Sequence, residues 1–211
     1  MERRKAIKNL GLSLGFVVST PTILNILQGC KSNVEPWLPV FFNIEEGNVL
    51  EKLVDIILPK TDTPGALDVN VPQFIDTFIN ETFETEEKAD IKTQFSLLIN
   101  TIKTKYNQNI DDVSYENYDD LLASYFKIDD EKLTSWEKQI EAYKASENKN
   151  VSGYENALQF DILNNIRSMS VFAFKTSELI GEKVLAYNPI PGTYIPCGNL
   201  DELTKGKAWS L

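Results

Sequence analysis

The sequence predicts an all-α protein: one domain of about six helices with an irregular, Pro- and Gly-containing C-terminal tail, preceded by a cleavable signal. Three observations lead there. Apolar residues recur at three- and four-residue spacing in six separate stretches, the period of a helix with one buried face. Asn, Ser, Thr or Asp stands at the start of most of them, where an N-cap is wanted. No stretch alternates apolar and polar residues long enough to read as a strand.

The elements follow in order. Asn43-Ile44-Glu45-Glu46 is an N-cap with a capping-box glutamate, and the helix behind it carries Leu50, Leu53, Val54 and Ile57 on one face before Pro59 ends it. Pro59 to Ala66 is a turn segment, because Pro64 presets its backbone angle and Gly65 tolerates a positive one. A second helix is expected from about Pro72 to Phe83 with Phe74, Ile75, Phe78 and Ile79 inward. Thr85 opens a third, striped by Ile91, Phe95, Leu98, Ile102 and Tyr106. Ser114 starts a fourth through Tyr118, Leu121, Leu122 and Tyr125, and Asp129 or Asp130 caps a fifth with Leu133, Trp136, Ile140 and Tyr143. After a polar connector at 146–152, the longest pattern runs from about Tyr154 to Ile180. Its apolar residues spread beyond one face at Val171 to Phe174, as expected of a central helix packed on several sides. The segment 188–198 has three prolines and two glycines and predicts irregular structure.

Ahead of these helices lies a different kind of segment. Residues 1–29 have a basic head (Arg3, Arg4, Lys5, Lys8) and a mildly apolar run from Leu10 to Leu27, which is the layout of an export signal. The run is interrupted by Gly11, Gly15, Pro21 and Asn25, too polar for a span that needs about 20 apolar residues, so a retained anchor is the weaker alternative. Arg3-Arg4 resembles the twin-arginine pattern, which implies export of a folded protein. Leu27-Gln28-Gly29-Cys30 resembles a lipobox, with Cys30 as the lipidated new N-terminus and plain cleavage nearby as the alternative. Residues 30–42 then form a tether and 43–211 the helical domain. Acyl chains contribute about 0.8 kcal/mol per buried methylene, enough to hold a multiply acylated protein on a membrane without a span.

Composition narrows the chemistry. The chain of 211 residues has 42% hydrophobic residues, enough for a core, and a net charge of −10. The signal holds four bases against one acid, so the remainder is more acidic still. That disfavours nucleic acid and direct attachment to anionic lipid. There is no histidine, and the only cysteines are Cys30 and Cys197. The commonest general base and metal ligand are therefore missing, and two thiols are too few for an iron–sulfur cluster. Cys197 is expected either as a buried thiol or in a disulfide to another chain. No Gly-rich phosphate loop or nucleophile elbow occurs. No catalytic, cofactor-binding or metal-binding residue is assigned. Acidic pairs such as Asp119-Asp120 are explained by capping and solvation. Arg167, within the longest helix, either projects to solvent or pairs with a carboxylate. Asp62 and Asp76 are its candidate partners, since a buried guanidinium needs one.

Several short motifs, in order, carry a resemblance over nearly the whole chain. They are the twin-arginine start, Ile57 to Ala66, Val71 with Phe74-Ile75-Asp76, Ser177-Glu178, Leu185-Ala186-Tyr187, Pro191 to Tyr194, Cys197 and Gly206-Lys207-Ala208-Trp209. Together they resemble the gluconate 2-dehydrogenase subunit 3 family, the small subunit of periplasmic flavin-dependent sugar and polyol dehydrogenases. The resemblance implies a chain with no redox centre of its own that supports folding, export and membrane attachment of a large FAD-dependent (GMC-type) dehydrogenase subunit. A cytochrome c subunit accompanies some members. It places the protein in the periplasm, held to a membrane through Cys30. Packing within a small helical domain does not require the turn or the tail. Asp62, Pro64, Gly65, Tyr187, Tyr194, Cys197 and Trp209 are accordingly the candidate partner interface. A stand-alone envelope lipoprotein with a binding or scaffolding role is the alternative.

Overall fold

The computed structural model describes residues 37–106, 109–190, 192–193 and 197–210. The expected signal with Arg3 and Arg4, the lipidation candidate Cys30 and most of the tether lie outside the described residues, as does Tyr194. The helical unit begins at Leu38.

Seven α-helices are described: α1 Ile44–Ile57, α2 Val71–Thr82, α3 Thr85–Tyr106, α4 Tyr115–Phe126, α5 Asp130–Ala145, α6 Glu155–Thr176 and the short α7 Leu200–Thr204. Short 3₁₀ turns, Leu67–Val69 and Ile110–Asp112, lead into α2 and α4, and a π-helical turn, Ile180–Val184, follows α6. No strand occurs among the described residues, only an isolated bridge between Ala186 and Trp209. The predicted class is therefore the observed one.

Local chemistry explains where most helices begin. The Asn43 side chain accepts from the Glu46 N–H, and the Glu46 carboxylate accepts from the Asn43 N–H at 2.8 Å, a complete capping box. Ser114 caps α4, and Asp129, rather than Asp130, caps α5. The end of α6 is four residues earlier than its apolar pattern suggests. Thr176 and Ser177 turn their hydroxyls onto the carbonyls of Phe172 and Phe174 at 2.8 and 2.7 Å, and Ser177 leaves the helix in extended conformation. Hydroxyls that compete in this way for main-chain carbonyls favour helix ends.

α6 is the hub, packing against each of α1 to α5. Leu158, Ile162, Leu163 and Ile166 are fully buried along its first three turns, each contributing about 1.5–3 kcal/mol by leaving water. Beside them, Tyr125, Trp136 and Phe160 join α4, α5 and α6 in an aromatic cluster with centroid separations of 5.7 and 5.4 Å. Two lysines stitch elements together, one a loop and one a helix. Lys52 donates to the carbonyls of Ile110, Asp111 and Val113 at 3.1–3.3 Å, closing the turn before α4. Lys144 of α5 and Gln94 of α3 both reach Asp161 of α6 at 3.2 Å.

Asp76 holds a position the sequence did not suggest. It is 1% exposed, and its carboxylate accepts three successive backbone N–H groups, from Val40 (2.7 Å), Phe41 (3.0 Å) and Phe42 (2.9 Å). Consecutive amides converging on one anion form a nest, and such bonds to a charged acceptor are the stronger kind. The segment so held places Phe42 against Phe95 of α3, centroids 4.8 Å apart. Lys92 of α3 pairs with Glu46 and lies over the rings of Phe41 and Phe42 at 4.7 and 5.3 Å.

The proposed pairing of Arg167 with Asp62 or Asp76 is therefore corrected. Asp76 is committed to the backbone of 40–42, and Asp62 stands exposed in its turn. Arg167 is itself exposed. Its guanidinium lies 4.5 Å from the Phe126 ring centroid and donates to Asn164 Oδ1 at 2.9 Å. The solvent-facing alternative holds because the helix turns this position away from the core, so no buried charge needs a counter-ion.

Three expectations follow. Asp76→Ala orphans three amides, two of them only part-buried, and is expected to cost about 3 kcal/mol in urea unfolding, whereas Arg167→Ala, losing one exposed cation–π contact, costs under about 1 kcal/mol. Tyr125 donates to Gln159 Oε1 at 3.0 Å, while the buried Tyr118 hydroxyl has no hydrogen-bond partner among the described residues. Tyr125→Phe should therefore cost about 1 kcal/mol and Tyr118→Phe should be neutral or stabilising. Burial pushes both phenols up from 10.0 to about 12. Because the unfolded chain ionises first, their stabilisation is complete below pH 10 and is lost as pH rises to 12, which alkaline unfolding curves of the two variants will show.

Candidate functional site

The turn after α1 is built to support itself. The Ala66 N–H donates to Leu58 O at 2.8 Å, Thr61 N–H to Thr63 O at 3.0 Å, and Val71 N–H to Ala66 O at 3.1 Å. Asp68 closes the loop: Oδ2 accepts the Gly65 N–H at 2.8 Å and Oδ1 pairs with Lys60 at 2.8 Å. Those two donors, Lys60 first, hold the Asp68 carboxyl below its ordinary range. Gly65 is required by close approach. A Cβ there would stand 2.6 Å from the Lys60 nitrogen and 3.0 Å from the Pro59 carbonyl carbon, both main chain. Of the three turn residues proposed for a partner interface, Gly65 is buried, Pro64 half-buried and Asp62 exposed. Gly65 thus shapes the loop from within, and Asp62 is the one free to meet another molecule.

The tail is anchored rather than loose. Ala186 donates to Ala208 O, and Ser210 donates back to Ala186 O, both at 2.9 Å, so residues 208–210 lie along 186 like a single rung of parallel sheet. Asn199 caps α7, and Lys205 and Gly206, both at positive φ, turn the chain out of it. This arrangement leaves Tyr187 50% and Trp209 48% exposed and Cys197 exposed. Of the two expectations for Cys197, the buried thiol is corrected: the turn holds residue 197 at φ 54° on the surface. A cleft of about 330 Å³ lined by Asp68, Asn70, Glu178 and Lys183 joins the turn to the π-helical segment on which the tail rests. None of the proposed turn and tail residues lines this cleft.

The structure adds a surface absent from the sequence-based interface. A groove of about 660 Å³ runs between α2 and the C-terminal end of α6, lined by Val69, Phe74, Phe78, Ala173 and Thr176. Phe74, expected to point inward, is 36% exposed, and Phe172 of the supposedly enclosed run is 50% exposed. Only Ile75 and Ile79 of the predicted α2 face are fully buried. Phe74 stacks on Phe78 at 5.4 Å and meets Phe172 at 6.1 Å, so the rings form one apolar wall. A signal for it existed in the apolar face of α2, four large residues across two adjoining rows, wider than one packing stripe. Gly65→Ala, which drives a methyl into rigid main chain, is expected to lower stability by about 2–3 kcal/mol in chemical denaturation.

With this geometry established, comparison with known proteins assigns the chain. No curated protein and no solved structure matches it. The family described as gluconate 2-dehydrogenase subunit 3 matches residues 44–192, from the first residue of α1 into the tail. The chain belongs to the gluconate 2-dehydrogenase subunit 3 family.

Proposed function

We propose that this chain is the non-catalytic small subunit of a flavoprotein sugar or polyol dehydrogenase, and that it supports the folding, twin-arginine export and membrane attachment of the catalytic subunit. The family match over residues 44–192 is the observation that carries this reading. The sequence adds a twin-arginine start at Arg3-Arg4 and a lipobox-like Cys30 ahead of the helical unit. FAD belongs to the partner in this reading. The described residues of this chain are helices and turns, without the Gly-rich strand-to-helix turn that cradles a dinucleotide pyrophosphate.

The roles divide along the chain. Arg3 and Arg4 bring the assembled, cofactor-loaded pair to a pathway for folded cargo. Cys30 carries the lipid that holds it at the membrane, and the helical unit binds the dehydrogenase. No helix among the described residues is long and apolar enough to cross a membrane, and in this reading the lipid at Cys30 provides the attachment. A lasting interface buries roughly 1,200–2,000 Å² with aromatic anchors at its centre. Tyr187, Trp209 and the Asp62 turn supply part of such a surface.

Co-expression tests the reading. With this chain present, the FAD subunit should appear active in the periplasm. Without it, or with Arg3→Lys and Arg4→Lys together, periplasmic activity should fall at least tenfold, and Cys30→Ser should move the activity from membrane to soluble fraction. Full export and activity of the FAD subunit alone would defeat the proposal, and a chain that purifies free of any flavoprotein would favour an envelope lipoprotein.

A further inference from the structure

We infer that the groove between α2 and the end of α6 receives a segment of the partner dehydrogenase that is apolar at its centre and basic on both flanks. The inference rests on the proposed function for the partner's identity, and on the groove for its chemistry.

The floor and wall set the centre of that segment. Phe74 touches both Phe78 and Phe172, and Phe74 and Phe172 are exposed; aromatic clusters of this kind are where binding energy concentrates at protein interfaces. Gln73 on the same wall keeps its Oε1 buried with no hydrogen-bond partner among the described residues. The groove follows α2, whose twelve residues make it about 18 Å long. That length matches three turns of helix or five to six residues of strand, so the occupant is a polypeptide segment rather than a small molecule.

The rim sets the flanks. The groove shares Val69, Asn70 and Ser177 with the neighbouring cleft, so Glu178 stands at the end where α2 begins and Glu81 at the end where it stops. Asp68 and Glu182 nearby are matched by Lys60 and Lys183. Among the described residues Glu81 accepts only from the neutral Asn80 amide, and the exposed Glu178 meets no cation. An apolar trough with an unmatched carboxylate at each end complements a segment with Lys or Arg at each end. A second copy of this chain would bring the same carboxylates together on a protein of net charge −10, and an anionic lipid surface would be repelled likewise.

The test uses the tagged full-length chain co-produced with its dehydrogenase, comparing wild type, Phe172→Asp and the double reversal Glu81→Lys with Glu178→Lys. All three positions are exposed, and circular dichroism melting confirms folding of each variant. Flavin absorbance at 450 nm per mole of chain should fall at least tenfold for both variants. A photo-crosslinking amino acid placed at Thr77 of the wild-type chain should capture a dehydrogenase peptide with apolar residues between basic ones. Unchanged flavin content in folded variants would overturn the groove while leaving the accessory-subunit reading intact. A wild-type chain that brings down no flavoprotein would overturn that reading and this inference with it. A wild-type dimer dispersed by Phe172→Asp, or a crosslinked peptide lacking basic flanks, would likewise overturn the inference.

Discussion

The carboxylate of Asp76 is the constraint on which the first half of the domain depends. A buried charge costs several kcal/mol unless its acceptors are filled, and here three amides in a row fill them. Neither side can leave alone, since the carboxylate would lose its donors and the amides their only acceptor. Holding 40–42 in place positions Phe42 against Phe95 and sets Asn43 where it caps α1. It also brings Glu46 to Lys92, so one polar thread ties α1, α2 and α3 together at the point where the chain enters the domain. In the proposed assembly a lipid at Cys30 would pull on α2 through this clasp rather than on a loose end.

α6 supplies the second constraint, and it changes character along its length. Its first three turns are enclosed by the other five long helices, which makes it the core. Its C-terminal end emerges beside α2 and leaves Val171 and Phe172 facing water. The domain therefore has a complete core and an additional apolar face. Scattered surface hydrophobics are ordinary, but contiguous exposed rings beside a groove are what the proposed docking segment would cover.

Some of this was legible residue by residue. Asn43, Glu46, Ser114 and Asp129 act within four positions of themselves, so their caps could be read directly and are present. Pro64-Gly65 announced a turn, though the reason for the glycine is the Lys60 backbone pressed against it rather than a positive φ. Arg167 stands out in the sequence as a charge needing an account, with Asp62 and Asp76 as candidate partners and solvent as the alternative. Their pairing failed because burial was inferred from apolar neighbours in sequence, whereas helix rotation puts Arg167 outside and Asp76 inside. Phe74 and Phe172 were misplaced for the same reason. The tail's anchoring to Ala186 and the short α7 could not be read from a stretch dominated by proline and glycine signals.

By itself, the sequence determined the helices, their caps, the turn chemistry and the family, because each rests on residue type at short range. Tertiary structure decided which acceptor the amides of 40–42 would find, which apolar residues would stay wet, and that Gly65 would carry no side chain. Those outcomes depend on contacts such as Val40 to Asp76, 36 positions apart. No periodicity or propensity reports a pairing at that range, because it is set by how the packed helices bring their faces together.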